Sequence, residues 1–255
     1  MFIYTSELII VLIIYLSGMV ALAQYKQDTS IANFTWGGGV MLVALYTFFR
    51  LSNFLIQQIL ITTMIMAWAL RLIMYIYVRY TGHDPRFSSW KFTGMKALLI
   101  NMIWVFGQIV MITIMSYPVF LINTYNNPHA LSFFDIGGFV VWLFGYSFEA
   151  ISDQQLFHFM RNSNNKGHVM RFGLWRYSRH PNYFGETVLW WGIYCFTLSV
   201  PYGWMAIITP VTITTLLLFV TGIPWIEKAM AHNPEYQEYT KKTSIFIPWF
   251  TKNTN

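Results

Sequence analysis

Long apolar runs dominate the chain, and polar residues gather in the gaps between them. A helix needs roughly 20 mostly apolar residues to span a bilayer core. Runs of this kind occur at about 3–23, 36–50, 55–77, 98–122, 133–150, 185–200 and 203–222. The second is short, and the sixth and seventh are nearly continuous across Pro201-Tyr202-Gly203, so six or eight segments are alternatives to seven. In lipid, backbone polar groups must pair within their own segment. The pattern therefore predicts an all-α, polytopic transmembrane bundle of about seven spans, a single integral membrane domain over 1–255.

Composition points the same way. Only 10% of residues are charged and 56% are hydrophobic, whereas soluble domains carry roughly 25% charged residues. Aromatic residues make up 19%, and Trp and Tyr favour the bilayer interface. The single cysteine, Cys195, excludes an internal disulfide and any metal site built on several thiolates. The first apolar run lacks the positive start and small-residue cleavage site of a signal peptide, so it reads as a retained helix. No metal and no nucleic-acid partner are expected.

Charge then orients the bundle. With seven spans, the connections at 24–35, 78–97 and 151–184 and the tail after 222 share one side. They hold Lys26; Arg79, Arg86, Lys91 and Lys96; Arg161, Lys166, Arg171, Arg176 and Arg179; and Lys228, Lys241, Lys242 and Lys252. That is 14 of the 16 basic residues, against Arg50 opposite and Arg71 inside the third span. The positive-inside rule makes the basic side cytosolic, with the N-terminus outside and the C-terminus inside. The bacterial inner membrane and the endoplasmic reticulum both fit a multi-pass protein of this kind.

Gly37-Gly38-Gly39 opens the second span, as a flexible entry or as a close-packing surface. There is no phosphate-binding loop and no dinucleotide fingerprint after a strand. Chemistry-bearing residues concentrate in 149–191, EAISDQQLFHFMRNSNNKGHVMRFGLWRYSRHPNYFGETVLWW. Turn-forming Asn162, Asn164, Asn165, Gly167 and Gly173 interrupt it. Pro181 suits a first helical turn. The free N–H groups of that helix would then lie beside Arg176 and Arg179, a setting that favours a phosphate or carboxylate. Anchoring to anionic lipid heads is the simpler use of such a basic run, but it does not require the neighbouring His, Asn, Tyr and Glu.

The stretch GLWRYSRHPNYFGE followed by WWGIY resembles the C-terminal domain of the steroid 5-alpha-reductase superfamily, in particular its DUF1295 branch. The resemblance continues in SDQQLFHF upstream and TGIPWIEKAMAHNPEYQEYTKKTSIFIPWF downstream, with weaker traces at 28–39 and in the third span. It implies a polytopic helical enzyme that uses NADPH to reduce a carbon–carbon double bond conjugated to a carbonyl, on a steroid or other lipid. By resemblance, Asn182 would hold the nicotinamide amide and Asp153 the ribose–adenine part. Arg161, Arg176 and Arg179 would face phosphates. Glu186, four residues after Asn182 on the same helical face, would be the acid that polarises the substrate, or else would tie the sixth helix to the tail. Tyr183 is a second proton donor. His180 would touch phosphate or cap the helix. Tyr239 would close over the cofactor or pack on the bundle.

The steroid 5-alpha-reductases proper carry a Gln-Glu pair and a Tyr on N-terminal helices. The local analogue here is Gln57-Gln58, with no acid, and Tyr75 or Tyr77. Arg71, Tyr75 and Arg79 form one polar stripe on the third span, lining a cavity or snorkelling to the interface. Glu7, Asn101, Gln108 and Glu149 read as residues that pair helices. A second reading is an S-adenosylmethionine-dependent methyltransferase. The isoprenylcysteine carboxyl methyltransferases share R-H-P-x-Y-x-G, here Arg179 to Gly185, with a later Glu227 and the pair Tyr236 and Tyr239. A transporter would show inverted repeats, and none is visible in the sequence.

Overall fold

A computed structural model describes residues 2–26, 31–79 and 95–251. Arg86, Lys91 and Lys252, and the start of the 28–39 stretch, lie outside the described residues. Nine α-helices occur among them: α1 Phe2–Lys26, α2 Ala32–Leu51, α3 Ile56–Arg79, α4 Met95–Thr124, α5 Phe133–Arg161, α6 Pro181–Thr197, α7 Ile208–Thr215, α8 Ile223–Met230 and α9 Pro234–Lys242. The only β pairing among the described residues is an isolated bridge between Ser178 and Ser244. Six helical stretches are long and apolar enough to cross a membrane: Ser6–Lys26, Phe34–Leu51, Ile56–Arg79, Leu99–Thr124, Phe133–Arg161 and Gly203–Met230. The predicted sixth span, 185–200, falls on α6, whose 17 residues leave it shorter than these six.

Two boundaries differ from the sequence pattern for physical reasons. The fifth helix does not stop near residue 150 but runs to Arg161. SDQQLFHFMR is polar yet rich in good helix formers, so the helix outlasts its apolar stretch. The last span is not one regular helix. A 3₁₀ turn at Gly203–Ile207 leads into α7, a π turn follows at Leu216–Val220, and the chain breaks at Thr221–Gly222 before α8. Thr221 N–H donates to the Leu216 carbonyl at 2.8 Å, the wide bond of a π turn. Pro224 then opens α8, at a position where its missing N–H is tolerated.

The chain forms two compact units, Met1–Ala130 and Leu131–Asn255. In the first, the three glycines of α2 each meet a different helix. A Cβ on Gly37 would lie 3.5 Å from the Ala69 carbonyl of α3, one on Gly38 would strike the Tyr15 hydroxyl of α1, and one on Gly39 would strike Ile112 of α4. The triplet is thus a packing surface that seats α2 among its neighbours. Polar side chains fasten the ends of this unit. Gln58 accepts from Asn53 N–H at 3.0 Å and Leu55 N–H at 2.9 Å, and donates to the Tyr125 carbonyl at 3.1 Å and Asn126 Oδ1 at 3.0 Å. Gln57 donates to the His129 carbonyl at 2.9 Å. Buried Asn123 donates to Thr47 at 3.0 Å and to Thr62 at 3.3 Å. Tyr46 donates to Glu7 at 2.6 Å, joining α2 to α1 as the helix-pairing reading expects.

The second unit is built on α5 and α6, which pack antiparallel through glycine. A Cβ on Gly138 would lie 2.4 Å from the Phe196 backbone nitrogen, and one on Gly145 would lie 2.4 Å from that of Leu189. From the other side, a Cβ on Gly185 would lie 2.5 Å from Glu149 N, and one on Gly192 would lie 2.4 Å from Trp142 N. Each helix therefore carries two glycines seven residues apart, and backbone lies against backbone. Outside these seams large apolar side chains stand exposed, such as Ile136, Val140 and Phe144 on α5. That distribution suits helices whose outer faces meet lipid rather than water.

Candidate functional site

The chain leaves α5 at Arg161 and returns to α6 at Pro181 through a loop that the rest of the unit holds in place. Gly173 takes a left-handed φ of +59°, and Gln155 of α5 accepts from the next N–H, Leu174, at 2.9 Å. Trp175 Nε1 donates to the Ser152 carbonyl at 3.0 Å, which seats the 3₁₀ turn Gly173–Arg176 on α5. Earlier in the loop, Glu235 of α9 accepts from Val169 N–H at 3.1 Å, lies 3.2 Å from His168 Nδ1 and pairs with Arg171 at 3.5 Å.

The tail clamps the motif RYSRH from the other side. Arg179 N–H donates to the Ser244 carbonyl at 2.8 Å, the Ser178 hydroxyl to the Phe246 carbonyl at 2.7 Å, and Trp249 N–H to the Tyr177 carbonyl at 2.9 Å. Tyr239 is buried and donates to the carbonyls of Trp175 and Ser178. Behind the loop, one carboxylate oxygen of Glu227 gathers three groups. It accepts from Tyr236 at 2.6 Å, lies 2.9 Å from His180 Nε2, and is 3.2 Å from Arg179 Nε. The arginine contact is an ion pair without hydrogen-bond alignment. Arg179 also donates to the Thr240 carbonyl at 3.3 Å.

This cluster sets its own protonation. Burial pushes the His180 imidazole below its ordinary value; Glu227 pulls it upward and Arg179 pushes it down further. Burial raises the phenols of Tyr236 and Tyr239, and Glu227 adds to both. The lowered value favours a neutral His180 imidazole beside Glu227 at neutral pH.

The predicted site residues fall into two groups. Arg179, His180 and Tyr239 direct their polar atoms into the protein, to Glu227 and to backbone carbonyls. His180 is the residue before α6, and its side chain makes no capping hydrogen bond. Asp153, Asn182, Tyr183 and Glu186 stand at one end of the α5–α6 pair. Because Glu149 lies against Gly185 and Gly145 against Leu189, the antiparallel register carries Asp153 level with Pro181 and Ser152 level with Asn182. Glu149 and Asp153 are both buried on α5, one turn apart. Asn182, Tyr183 and Glu186 are half-buried in the first two turns of α6. The Tyr183 ring stacks on His180 with centroids 5.6 Å apart. Arg161 lies over Phe157 at the exposed end of α5, and Arg176 is exposed at the end of its 3₁₀ turn.

Two features were missed by the sequence reading. One is the glycine ladder, although its seven-residue spacing on both helices is visible in the sequence. The other is that Glu227, Glu235 and the tail hold the loop, which rests on pairings some 50–70 positions apart that no local pattern announces. In the first unit, Gln57 and Gln58 are engaged by the backbone at the α3–α4 ends. On the stripe of α3, Arg79 donates to the Tyr75 hydroxyl at 2.5 Å. Among the described residues no cluster of His, Cys, Asp and Glu could hold a metal ion.

Membrane-spanning helices that carry a polar, partly basic site at one end define a multi-pass helical membrane protein. The signature of DUF1295, described as a protein of unknown function, matches residues 19–243. The chain belongs to that family, which is part of the steroid 5-alpha-reductase-like group. No curated protein matches the sequence.

Proposed function

We propose that this chain is a membrane-embedded, NADPH-dependent reductase acting on a carbon–carbon double bond conjugated to a carbonyl in a lipophilic substrate. The observation that carries the reading is the gathering of Asp153, Asn182 and Glu186 at one end of α5 and α6, beside the basic loop. In this reading the loop side faces the cytosol, where a soluble cofactor is supplied, and the apolar helices give a lipid access from the bilayer.

The residues present fit a dinucleotide in part. Asn182 offers both a donor and an acceptor to a carboxamide. Asp153 is an acceptor for ribose hydroxyls. Arg161 and Arg176 are exposed and carry the charge that phosphates require. Arg179, His180 and Tyr239 serve by holding the loop, since their polar atoms already face protein groups. When bound, the cofactor supplies hydride. Glu186 holds a proton at its carboxyl and donates a hydrogen bond to the substrate carbonyl oxygen, the role of a partly desolvated acid. Tyr183 is the second donor.

Methyl transfer is the competing reading, favoured by the convergence of Arg179, His180 and Tyr236 on one carboxylate oxygen of Glu227. Cofactor titration of the detergent-purified protein separates the two, because a ligand that binds only the folded state raises the melting temperature. NADPH should stabilise and S-adenosylmethionine should not. Asn182→Ala should abolish the NADPH shift. Glu186→Gln should keep that shift while NADPH oxidation by an enone lipid is lost. Stabilisation by S-adenosylmethionine alone would replace this reading with methyl transfer.

A further inference from the structure

After α9 the chain runs through Ser244 to Phe250 with its side chains alternating. Ser244, Phe246 and Pro248 are partly covered, while Ile245, Ile247, Trp249 and Phe250 point outward. Trp249 is 68% exposed and Phe250 is 79% exposed. This outward row is held in place by the hydrogen bonds of Ser178 and Tyr177 to the tail backbone. The Tyr177 ring meets that of Phe250 edge-on at 6.5 Å.

The depth of the row follows from a chain of ring contacts. Phe246 packs on Phe184 of α6 with centroids 5.7 Å apart, and Phe184 packs on Phe148 of α5 at 5.4 Å. Phe148 lies fifteen residues beyond Phe133, where the capping box of Ser132 and Asp135 starts α5. At the helical rise this is about 22 Å, inside a hydrocarbon layer of about 30 Å. Phe246 thus doubles back beside the first turns of α6, at a level that lipid occupies when the hydrocarbon layer begins at Phe133. Trp225 and Lys228 are exposed on α8, whose Glu227 pairs with Arg179, and Lys242 is exposed at the end of α9.

We infer that Ile245, Ile247, Trp249 and Phe250 form an interfacial anchor that enters the lipid leaflet on the loop side. The partner is the bilayer surface, with acyl chains taking the apolar row and anionic headgroups meeting the lysines. Trp at this level suits the aromatic belt, and basic residues beside it suit an anionic leaflet. The inference rests on the membrane reading of the helices and is independent of any reductase activity.

The test uses the full chain with Cys195→Ser, reconstituted in phosphatidylcholine–phosphatidylglycerol vesicles. Single cysteines carry an environment-sensitive fluorophore at Ile247→Cys or Trp249→Cys. Val140→Cys, on the exposed apolar face of α5, is the membrane control, and Asn164→Cys, in the exposed loop, is the water control. Probes at 247 and 249 should lose emission to brominated lipids as the 140 probe does, and should resist aqueous iodide, which quenches the 164 probe. Iodide quenching at 247 and 249 with bromolipid quenching at 140 would overturn the anchor and leave the spans intact. Protection from both quenchers would mean that a second copy covers the row, and would also overturn it. Loss of bromolipid quenching at 140 would instead refute the membrane reading beneath it.

Discussion

Gly137 and Gly138 are neighbours on α5 that meet opposite surroundings, and replacing each with Ala tests the helix pair directly. A Cβ on Gly137 meets nothing within 4 Å. At an open helical position Gly→Ala stabilises by roughly 0.5–1 kcal/mol, through lost backbone entropy in the unfolded chain. A Cβ on Gly138 would lie 2.4 Å from Phe196 N, 2.8 Å from the Gly192 carbonyl and 2.8 Å from Phe196 Cα. All three are backbone atoms, so no side chain can turn aside and the helices must separate. Overpacking of this kind costs about 1–3 kcal/mol, and the backbone contacts place it toward the upper end. A loss of 2 kcal/mol corresponds to roughly 4–8 °C for a chain of this size. Thermal unfolding of the purified protein, read by loss of the monodisperse peak after heating, should show Gly137→Ala at or above wild type. Gly138→Ala should melt several degrees below it. Equal melting of the two variants would refute close backbone packing as the bond between α5 and α6.

Acid should weaken the second unit. The folded His180 imidazole sits below its ordinary value, so as pH falls through about 6.5 the unfolded chain takes up a proton that the folded chain does not. Stability is then full above that pH and declines below it, and melting curves from pH 8 to 5.5 should shift less in His180→Gln, whose amide still donates to Glu227. Tyr236→Phe should lower the melting temperature by the equivalent of about 1–3 kcal/mol, because a partly buried carboxylate loses a donor. In sealed inverted and right-side-out vesicles, an impermeant thiol reagent should label Asn164→Cys in the Cys195→Ser background only from the cytosolic face; labelling from the outer face would reverse the orientation expected from the positive-inside rule.

Most of the helical layout was legible because hydrophobic runs report spans directly. The ends of α1 to α4 fall within a few residues of the apolar boundaries. What the pattern could not report was the polar continuation of α5 to Arg161, since hydropathy marks where lipid ends and not where helix ends. The site was legible in its local part: Pro181 does open α6, and Asn182 and Glu186 share its first turns. Its supports were not. Arg179 and His180 read as ligand-facing because a basic loop beside a helix start invites an anion. Their partner Glu227 lies 47 positions or more along the chain, and only folding brings it close. Gln57 and Gln58 show the same limit, since their partners belong to the far end of α4.

The clamp on the RYSRH loop also imposes an order on biogenesis. Each tie to that loop from α9 and the tail, from Tyr239 through Ser244 and Phe246 to Trp249, is made by residues synthesised after every membrane helix. A ribosome adds roughly 5–20 residues per second, so for several seconds α5 and α6 are inserted while their connecting loop is held by α5 and lacks its ties to the tail. The fully clamped loop would then be the last feature the nascent chain acquires. A chain ended before residue 243 would be inserted with Tyr239 alone among these ties in place, which makes the tail a natural point of quality control for the whole protein.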